Sequence, residues 1–460
     1  MSQSTAASSE EKDPVRGITA ISVRGYKSLY EECSIQIRPL TILAGANSSG
    51  KSSIIQPLLL LKQTLEATYD PGALLLNGPH VRFNLAEQLF SQVSGKQRQD
   101  RLNIKIEIDG DTSLDTTFGK SPLTGMEITE VTGEQPERTF TLMPKMERQD
   151  IIAFLSNIYG QKYGLVEIIQ SGKGEISENL EWNILRERCF LNIICKSMTK
   201  LMPEREMLIP MFLYDSHTFT AAFENSIRQV IHVPGLRGNP ERTYKITAIG
   251  SAFPGTFENY VASIVNHWQN NKDKRLRDLI SALETLGLTG QVEARQVDDV
   301  QVELRVGRLP ASGDAKDMVN IADVGLGVSQ VLPVLVALLV AEPGQLVYLE
   351  QPEIHLHPRA QAALAQILAD AANRGVRVVV ETHSDLLLTR IQALVASERI
   401  SPVTIELHWF QQREDGVTEV KSAELDNAGA FGDWPVDFGE VALEEESRYL
   451  DAAESRLLKS

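Results

Sequence analysis

Residues 40–61 read LTILAGANSSGKSSIIQPLLLL, a short apolar run followed by a glycine- and serine-rich loop and a longer apolar segment. The first run ends at Gly45 and has the length of a buried strand, whereas the segment from Ser52 to Leu61 is long enough for a helix. The loop between them, residues 45–52, fits the pattern G-x-x-x-x-G-K-[ST]. Strand, loop and helix thus occur in the order that a phosphate-binding loop requires.

The residue types of this loop suit a bound triphosphate. Its glycines let backbone N–H groups turn toward the α- and β-phosphates, Lys51 reaches the β- and γ-phosphates, and the Ser52 hydroxyl ligates Mg²⁺. The N-terminus of the following helix adds a positive field, although Pro57 inside that helix should bend its axis. The sequence therefore predicts a nucleotide-binding site. The residues assigned to it are Gly45, Ala46, Asn47, Ser48, Ser49, Gly50, Lys51, Ser52 and Ser53.

The composition of the chain narrows its class. A length of 460 residues predicts two or three units, or one domain with a long insertion. With 42% hydrophobic and 23% charged residues, the chain has the composition of a soluble globular protein. Its 61 acidic and 45 basic residues give a net charge of −16, which weakens any binding of nucleic acid by bulk electrostatics. A local basic groove, and with it direct nucleic-acid binding, is left open.

The cysteines and the apolar runs indicate where the protein works. Cys33, Cys189 and Cys195 have no paired spacing, so we read them as reduced thiols in a cytoplasmic protein. The polar lead has no apolar core of a signal peptide. The longest apolar run, Val331–Ala341, contains Pro333 and is too short to span a bilayer, so no membrane segment is predicted.

Changes in sequence texture divide the chain into six segments. Alternating apolar residues before the loop, and again at Leu102–Ile108, predict antiparallel strands. Helical texture begins near residue 147, and strand texture returns near residue 291. The predicted segments are a disordered lead (1–17), the part with the phosphate loop (18–95), a β-rich lobe (96–146), a helical insertion (147–290), a second α/β part (291–412) and an acidic tail (413–460).

The insertion is predicted to contain five helices but no coiled coil. No heptad pattern persists for three or four repeats, which argues against a long-armed chromosome-maintenance protein. The predicted helices are Ile151–Tyr159, Glu181–Met202, Thr218–Val230, Phe257–Gln269 and Lys274–Leu286.

A second glycine-containing loop precedes the long apolar segment. Because proline is tolerated in a helix only in its first turn, Pro333 predicts a helix start at Val328–Gln330. Gly325 and Gly327 would then lie in the loop and Ser329 near the N-cap, giving a second helix N-terminus suited to an anion. A plain glycine turn before a buried helix is the alternative.

Two downstream strands end in polar residues. Leu346–Glu350 is a buried strand ending in a carboxylate, the arrangement that places an acid beside the Mg²⁺ of a phosphate-loop site. A strand at Val376–Val380 leads to His383, at the strand end where the ligands of open α/β sheets lie. Segments 360–373 and 385–397 have helical texture and would form the crossovers of a parallel sheet, so we predict an α/β fold.

Two features near the end of the chain allow more than one interpretation. His355 and His357 alternate as a metal pair would, but without further ligand spacing we favour loop contacts. The tail is predicted to end in a helix, Glu440–Leu458, after a joint at Asp433–Pro435. That helix is either a docking surface for another protein or a solvated terminal helix.

Taken in order, the phosphate loop, the glycine-serine loop, the acidic strand end and the strand-end histidine resemble the ABC-type ATPase heads of the RecF and overcoming-lysogenisation-defect (OLD) group. EQPEIHLHP at residues 350–358 and THS at 382–384 most resemble stand-alone AAA-family ATPases that are often encoded in bacterial defence loci. The resemblance covers residues 18–95 and 320–410. It implies a head with an antiparallel β lobe and a mostly parallel P-loop sheet with flanking helices, interrupted by a largely helical insertion.

This resemblance also implies cofactors and roles. ATP and Mg²⁺ are the cofactors, Ser52 and Glu350 hold Mg²⁺ with Glu350 as the Walker B acid, and His383 is the switch histidine that contacts the γ-phosphate. The signature loop presses on the γ-phosphate of a partner protomer, so a homodimer or higher homo-oligomer is implied. The residues of that loop are Gly325, Gly327, Ser329 and Gln330.

The chain departs from the family pattern at one position. Many such heads carry a second acid directly after the Walker B acid to orient the attacking water, whereas this chain has Gln351. Because an amide cannot take a proton, we expect slow hydrolysis unless Glu353 or a neighbour substitutes. The candidate catalytic residues are Glu350, Gln351, Glu353 and His383.

The leading hypothesis is an ATP-gated sensor or scaffold in antiphage defence that controls a partner effector, a nuclease or toxin encoded nearby. No second catalytic cluster follows the last predicted sheet strand, so the output activity is assigned to another polypeptide. A DNA-repair or recombination ATPase that binds DNA directly is the alternative. The engine of a membrane transporter is disfavoured because the signature is degenerate and the insertion is long.

Overall fold

The computed structural model describes residues 17–122, 125–159, 180–202, 205–212, 214–308, 317–432 and 447–451, together with Glu454 and Arg456. The predicted lead, apart from Gly17, and the joint at Asp433–Pro435 lie outside these residues. Most of the predicted tail helix lies outside them too, although residues 447–451 are helical.

The chain contains both strands and helices, which alternate over residues 346–412, and the predicted α/β class is confirmed. The strands are β1 Ile18–Arg24, β2 Cys33–Gln36, β3 Leu40–Gly45, β4 Arg101–Ile108, β5 Thr112–Ser121, β6 Gly125–Gln135, β7 Arg138–Leu142, β8 Leu180–Glu187, β9 Phe190–Met202, β10 Arg205–Phe212, β11 Ile231–Val233, β12 Tyr244–Lys245, β13 Val292–Gln296, β14 Gln301–Gly307, β15 Met318–Asn320, β16 Leu346–Glu350, β17 Arg377–Glu381, β18 Ile405–Gln412 and β19 Thr418–Ala423. The helices are α1 Lys51–Glu66, α2 Arg148–Tyr159, α3 Tyr214–Arg228, α4 Glu258–Asn270, α5 Lys274–Thr285, α6 Leu326–Val340, α7 Pro358–Asn373 and α8 Asp385–Ala396.

The central sheet has the strand order β11-β16-β17-β3-β18-β19. Every neighbouring pair from β11 to β18 is parallel, and only the edge strand β19 is antiparallel. The carboxyl ends of β3, β16 and β17 therefore meet at one edge of the sheet, where ligands of such sheets bind. β17 lies between β3, which leads into the phosphate loop, and β16.

The two faces of this sheet belong to two apolar cores. Val378 and Val380 of β17 pack in the core that contains α6, whereas Val379 between them packs in the core that contains α1. Because successive side chains of a strand point to opposite faces, a short apolar strand can serve both layers. Helices on both faces hold the strand ends in place around the site.

Antiparallel sheets flank the central sheet. One has the order β2-β1-β4-β5-β6-β7 and includes the strand predicted at Leu102–Ile108; two smaller sheets have the orders β10-β9-β8 and β12-β14-β13, with β15 paired to β14. None of the helices in the described ranges is long and apolar enough to cross a membrane.

The helix predicted at Glu181–Met202 is wrong. These residues form β8 and β9, an antiparallel pair that turns at Arg188, where φ is 55°. Leu191 and Ile193 are both 1% exposed. The helix-favouring charged and leucine residues of this segment were outweighed by strand pairing and burial, which local propensity does not report. The other four helices predicted in the insertion are present as α2 to α5, with ends shifted by a few residues.

The predicted start of α6 is also wrong. The helix begins at Leu326, with Gly325 as N-cap, so Gly327 and Ser329 lie within it and Pro333 is in its interior. Pro333 has no N–H for the Ser329 carbonyl, yet the helix continues because almost all of its following residues are buried. The rule that proline marks a helix start was overridden by packing.

Candidate functional site

Two glycines of the phosphate loop are required by the backbone. Gly45 and Gly50 have φ values of 140° and 103°, a region that residues with a side chain rarely adopt. A Cβ on Gly45 would lie 2.1 Å from the carbonyl oxygen of Phe410, and one on Gly50 would lie 2.5 Å from Oγ1 of Thr418. The loop therefore depends on β18 and β19 as well as on its own sequence.

Thr418 ties the last strand to the phosphate loop. Its Oγ1 lies 2.8 Å from the Ser49 carbonyl oxygen and 2.8 Å from Ser28 Oγ, and its N–H donates to the Ser28 carbonyl oxygen at 2.9 Å. Thr418 is 2% exposed. This residue could not be identified from the sequence, because a threonine in a strand more than 360 positions away carries no local signal of such a contact.

Lys51 and Ser52 begin α1 and point into the loop and the sheet edge. The buried Lys51 donates from Nζ to the carbonyl oxygens of Gly45 at 3.0 Å and Ala46 at 2.7 Å. Burial lowers the pKa of Lys51, and the nearby Glu381 opposes this shift. Ser52 Oγ donates to Glu381, 2.8 Å from Oε2. The ammonium and the hydroxyl thus stand where a triphosphate and its cation would be held.

The carboxylate at Ser52 is that of Glu381, a residue not assigned a role from the sequence. Glu350, assigned to Mg²⁺ from the sequence, accepts instead from Gly235 N at 3.0 Å, and its Oε1 lies 3.1 Å from Nε2 of His232. Glu350 and Glu381 are direct partners across β16 and β17. Because β17 lies between β16 and β3, its terminal acid is the nearer of the two to the phosphate loop.

These two acids differ in their electrostatics. Burial raises the pKa of Glu381, the negative charge of Glu350 adds to this, and the Ser52 hydrogen bond opposes it. Burial also penalises ionised Glu350, but hydrogen bonds from His232 and Gly235 outweigh it and leave its pKa below the usual value. The edge therefore pairs a readily ionised acid with one that ionises less readily.

These residues fit Mg²⁺ and a phosphate chain. A hydroxyl and carboxylates are the oxygen ligands that Mg²⁺ uses beside nucleotide phosphates, with water completing its octahedron. Within the described ranges no three His, Cys, Asp or Glu side chains form a protein-only metal cage. Ser49 Oγ is buried and has no hydrogen-bond partner among the described atoms, as expected of a group directed at a ligand.

Glu353 braces the turn that carries His383. Its Oε1 accepts from Thr382 Oγ1 at 2.7 Å and from the His383 N–H at 2.9 Å, and Glu353 is 7% exposed. Burial lowers the pKa of the half-buried His383, and the positive charge of Lys51 lowers it further. His383 is therefore held near the lysine in its neutral form at pH 7.

Gln351 occupies a constrained turn after β16. Its φ is 42°, its N–H donates to the Glu381 carbonyl oxygen at 2.7 Å, and its carbonyl oxygen accepts from Arg237 Nη2 at 3.3 Å. Arg237 is 9% exposed; burial lowers its pKa, and the carboxylates of Glu258, Glu353 and Glu350 oppose that shift. Arg237 could not be identified from the sequence, because no motif marks the loop after β11.

The residues of the predicted signature loop hydrogen-bond to backbone carbonyl groups of the same chain. Ser329 Oγ donates to the Leu326 carbonyl oxygen at 3.2 Å, and Gln330 Nε2 donates to the Gly238 carbonyl oxygen at 3.1 Å. In a separate loop, Nδ1 of His357 accepts from the Arg359 N–H at 3.3 Å and so caps α7. A capping role fits the interpretation of this histidine as a loop contact.

Two family models match the chain. Residues 17–202 match the model described as an AAA ATPase domain, and residues 245–389 match the model described as "AAA domain, putative AbiEii toxin, Type IV TA system". Both matches are to ATPase domains. The first match includes the phosphate loop, and the second includes the predicted signature loop, Glu350 and His383. No curated protein matches the chain significantly.

Solved structures of SMC head domains are similar to this chain at low sequence identity. An SmcHead bound to the C-winged helix domain of ScpA shares 13% identity over 90% of this chain and 99% of that chain, with a TM-score of 0.44. The SMC head domain from Thermotoga maritima shares 10% over 89% and 100%, with a TM-score of 0.41. An Smc head domain from Pyrococcus furiosus, bound to the C-terminal domain of ScpA, shares 13% over 95% and 100%, with a TM-score of 0.43.

Proposed function

We propose that this AAA-type ATPase binds ATP with Mg²⁺, hydrolyses it slowly, and uses nucleotide-driven closure to control a partner effector in bacterial antiphage defence. The observation that carries the nucleotide part is the phosphate loop. Lys51 lies inside the turn of that loop, and Ser52 contacts Glu381 at the carboxyl edge of the parallel sheet. Glu350 and His383 end or follow the neighbouring strands, as the chemistry requires.

Slow turnover is supported by the position after Glu350. Gln351 has an amide where a base would orient the attacking water, and an amide cannot accept a proton. Glu353, the nearest acid in sequence that could replace it, uses one carboxylate oxygen to hold Thr382 and His383. ATP binding and closure would therefore outlast chemistry, which suits a gate better than a motor.

A homodimer is supported by Gly325. Its φ of −61° is open to any residue, and no described atom lies within 4 Å of a Cβ placed there. Neither the backbone at this position nor the packing of the described residues therefore needs glycine at the N-cap of α6. Close approach of a second protomer's nucleotide gives a reason for the missing side chain, and the 44% exposed Leu326 beside it would be covered in the same contact.

The effector, its encoding beside this protein and the defence role rest on the resemblance of residues 350–358 and 382–384 to stand-alone defence ATPases. The cytoplasmic location rests on the unpaired spacing of the three cysteines. The negative net charge of −16 supports a protein effector over direct gripping of DNA.

The experiment that tests this proposal compares wild type with Lys51→Ala in the presence of Mg²⁺ and ATP. Wild type should bind ATP in calorimetry, become a dimer in light scattering and retain a partner protein from its native host, whereas Lys51→Ala should do none of these. Wild type that binds no ATP would overturn the nucleotide part. Salt-sensitive binding of duplex DNA ends by the ATP-bound wild type, with no protein retained, would favour the DNA-repair alternative.

A further inference from the structure

A line of buried polar side chains lies behind Glu350 and has no role in the function proposed so far. His232 of β11 is 4% exposed, and its ring stacks on Tyr348 with centroids 5.3 Å apart and planes 14° apart. Its Nε2 lies 3.1 Å from Glu350 Oε1, and its Nδ1 lies 3.1 Å from Nδ1 of His80. His232 thus contacts the predicted Walker B acid on one side and a second histidine on the other.

This line continues to the far end of the phosphate-loop helix. Nε2 of His80 lies 3.7 Å from Oε2 of Glu66, the last residue of α1. Glu66 forms an ion pair with Lys62 one turn earlier and accepts from Gly255 N at 2.9 Å. The side chains of His80 and Glu66 are only 2% and 5% exposed. The line therefore joins the C-terminal end of α1 to Glu350, while the N-terminal end of α1 carries Lys51.

The donors and acceptors in this line follow from its Glu350 end. An ionised Glu350 can only accept, so Nε2 of His232 carries the hydrogen of that contact. On the other side of the ring, Nδ1 of His80 faces Nδ1 of His232, and a hydrogen on Nδ1 of His80 can be donated to it. Such a hydrogen bond favours the tautomer of His232 that donates to Glu350.

We propose that His232 is a positioning residue that holds the Glu350 carboxylate in the orientation needed for Mg²⁺, with His80 and Glu66 connecting this orientation to α1. The inference rests on the proposed function, because Glu350 needs an orientation only if Mg²⁺ and ATP bind beside it. His232 contacts Oε1 of Glu350 and the Gly235 N–H donates to Oε2, and a hydrogen bond from Tyr348 also lowers the pKa of this carboxyl. Removing His232 takes away the partner of Oε1 and so loosens the orientation of the carboxylate.

Two substitutions at His232 separate positioning from packing. His232→Phe keeps a ring that can stack on Tyr348 but removes the donor, whereas His232→Gln restores an N–H at the position of Nε2. ATP affinity is measured by calorimetry against Mg²⁺ concentration and again in EDTA, alongside kcat, KM and thermal unfolding.

The expected result is a loss that depends on Mg²⁺. Partners behind a metal ligand typically contribute about 10- to 100-fold to metal affinity or activity, so His232→Phe should need about tenfold more Mg²⁺ and show a lower kcat. Its ATP affinity in EDTA should equal that of wild type, and His232→Gln should restore Mg²⁺ dependence. His80→Leu should raise the Mg²⁺ requirement by a smaller factor than His232→Phe does. His80→Asn keeps a donor and should leave the Mg²⁺ requirement unchanged.

The outcomes also separate this inference from the proposed function. Wild type that binds no ATP with Mg²⁺ overturns the proposed function. If wild type binds ATP with Mg²⁺ and His232→Phe shows the same Mg²⁺ dependence and kcat, the inference alone is overturned. It is also overturned if His232→Gln is folded but as impaired as His232→Phe. If His232→Phe fails to fold, His80→Leu and His80→Asn test the inference instead. Equal Mg²⁺ dependence of these two variants overturns it.

Discussion

The two glycine loops of this protein differ in what their glycines are for. Gly45 and Gly50 of the phosphate loop are required by the chain itself, because their φ angles are positive and other atoms of the chain lie closer than 3 Å to the position that a Cβ would take. Gly325 before α6 has an ordinary φ and open space around it. Contacts within the protomer therefore explain the glycines of the first loop, whereas the described residues give no reason for Gly325, which we attribute to the proposed dimer.

The largest effect should come from breaking the self-contained loop. Gly45→Ala places a methyl group against the Phe410 carbonyl at a φ of 140°, so we expect a loss of about 3 kcal/mol in unfolding free energy and loss of ATP binding. Denaturant unfolding and calorimetry measure both. Gly110→Ala is the matched control, because Gly110 has a φ of 82° but open space around it. Equal effects of both variants would contradict the role of the Phe410 contact.

The next largest effect should be a gain of ATP turnover at the site formed around the phosphate loop. Gln351→Glu places a carboxylate at the position where we propose that a base is lacking, in a turn already held by Glu381 and Arg237. A general base contributes about 100-fold or more to such a reaction. ATP turnover should rise while ATP affinity stays the same. Gln351→Ala is the control and should not exceed wild type. A wild type as fast as Gln351→Glu would show that another residue already acts as base.

A side chain at Gly325 should leave the stability of the protomer unchanged but weaken dimerisation. Asn is a better N-cap than Gly, so Gly325→Asn should leave the unfolding free energy unchanged or slightly higher. In the dimer that we propose, its side chain would lie where the partner's nucleotide approaches, so ATP-dependent dimerisation should weaken about tenfold, a change of about 1.4 kcal/mol. Light scattering with ATP measures this. Gly110→Asn, in the β4–β5 turn, should dimerise normally; an undisturbed Gly325→Asn dimer would refute the second role of this loop.

The smallest effect should come from loosening the contact between β19 and the phosphate loop. Thr418→Val removes the hydroxyl beside the Ser49 carbonyl oxygen, and we expect a loss of about 1 kcal/mol in stability with an ATP affinity several-fold lower. Thermal unfolding and calorimetry would detect both changes. Thr418→Ser keeps the hydroxyl and should lie near wild type, so a Ser variant as weak as the Val variant would assign the effect to packing instead.

The phosphate loop and its flanking elements could be predicted because their signals are local. A glycine pattern, an apolar strand and an apolar helix follow one another within 22 residues, and β3 and α1 lie where that order places them. Local signals misled at Glu181–Met202 and at Pro333, since pairing in a sheet and burial of a helix depend on neighbours that are distant in sequence. In both places tertiary packing outweighed the local propensity on which the prediction rested.

The α/β class, the phosphate loop with Lys51 and Ser52, and the acid and histidine that follow two later strands can all be read from the amino-acid order alone. The folded chain was needed to show that Glu381, not Glu350, contacts Ser52, that Thr418 closes on the loop, and that His232 contacts Glu350. The physical reason is strand order. A parallel sheet sets side by side residues that are hundreds of positions apart, and which strand lies beside β3 is fixed by packing of both faces, which no local pattern records.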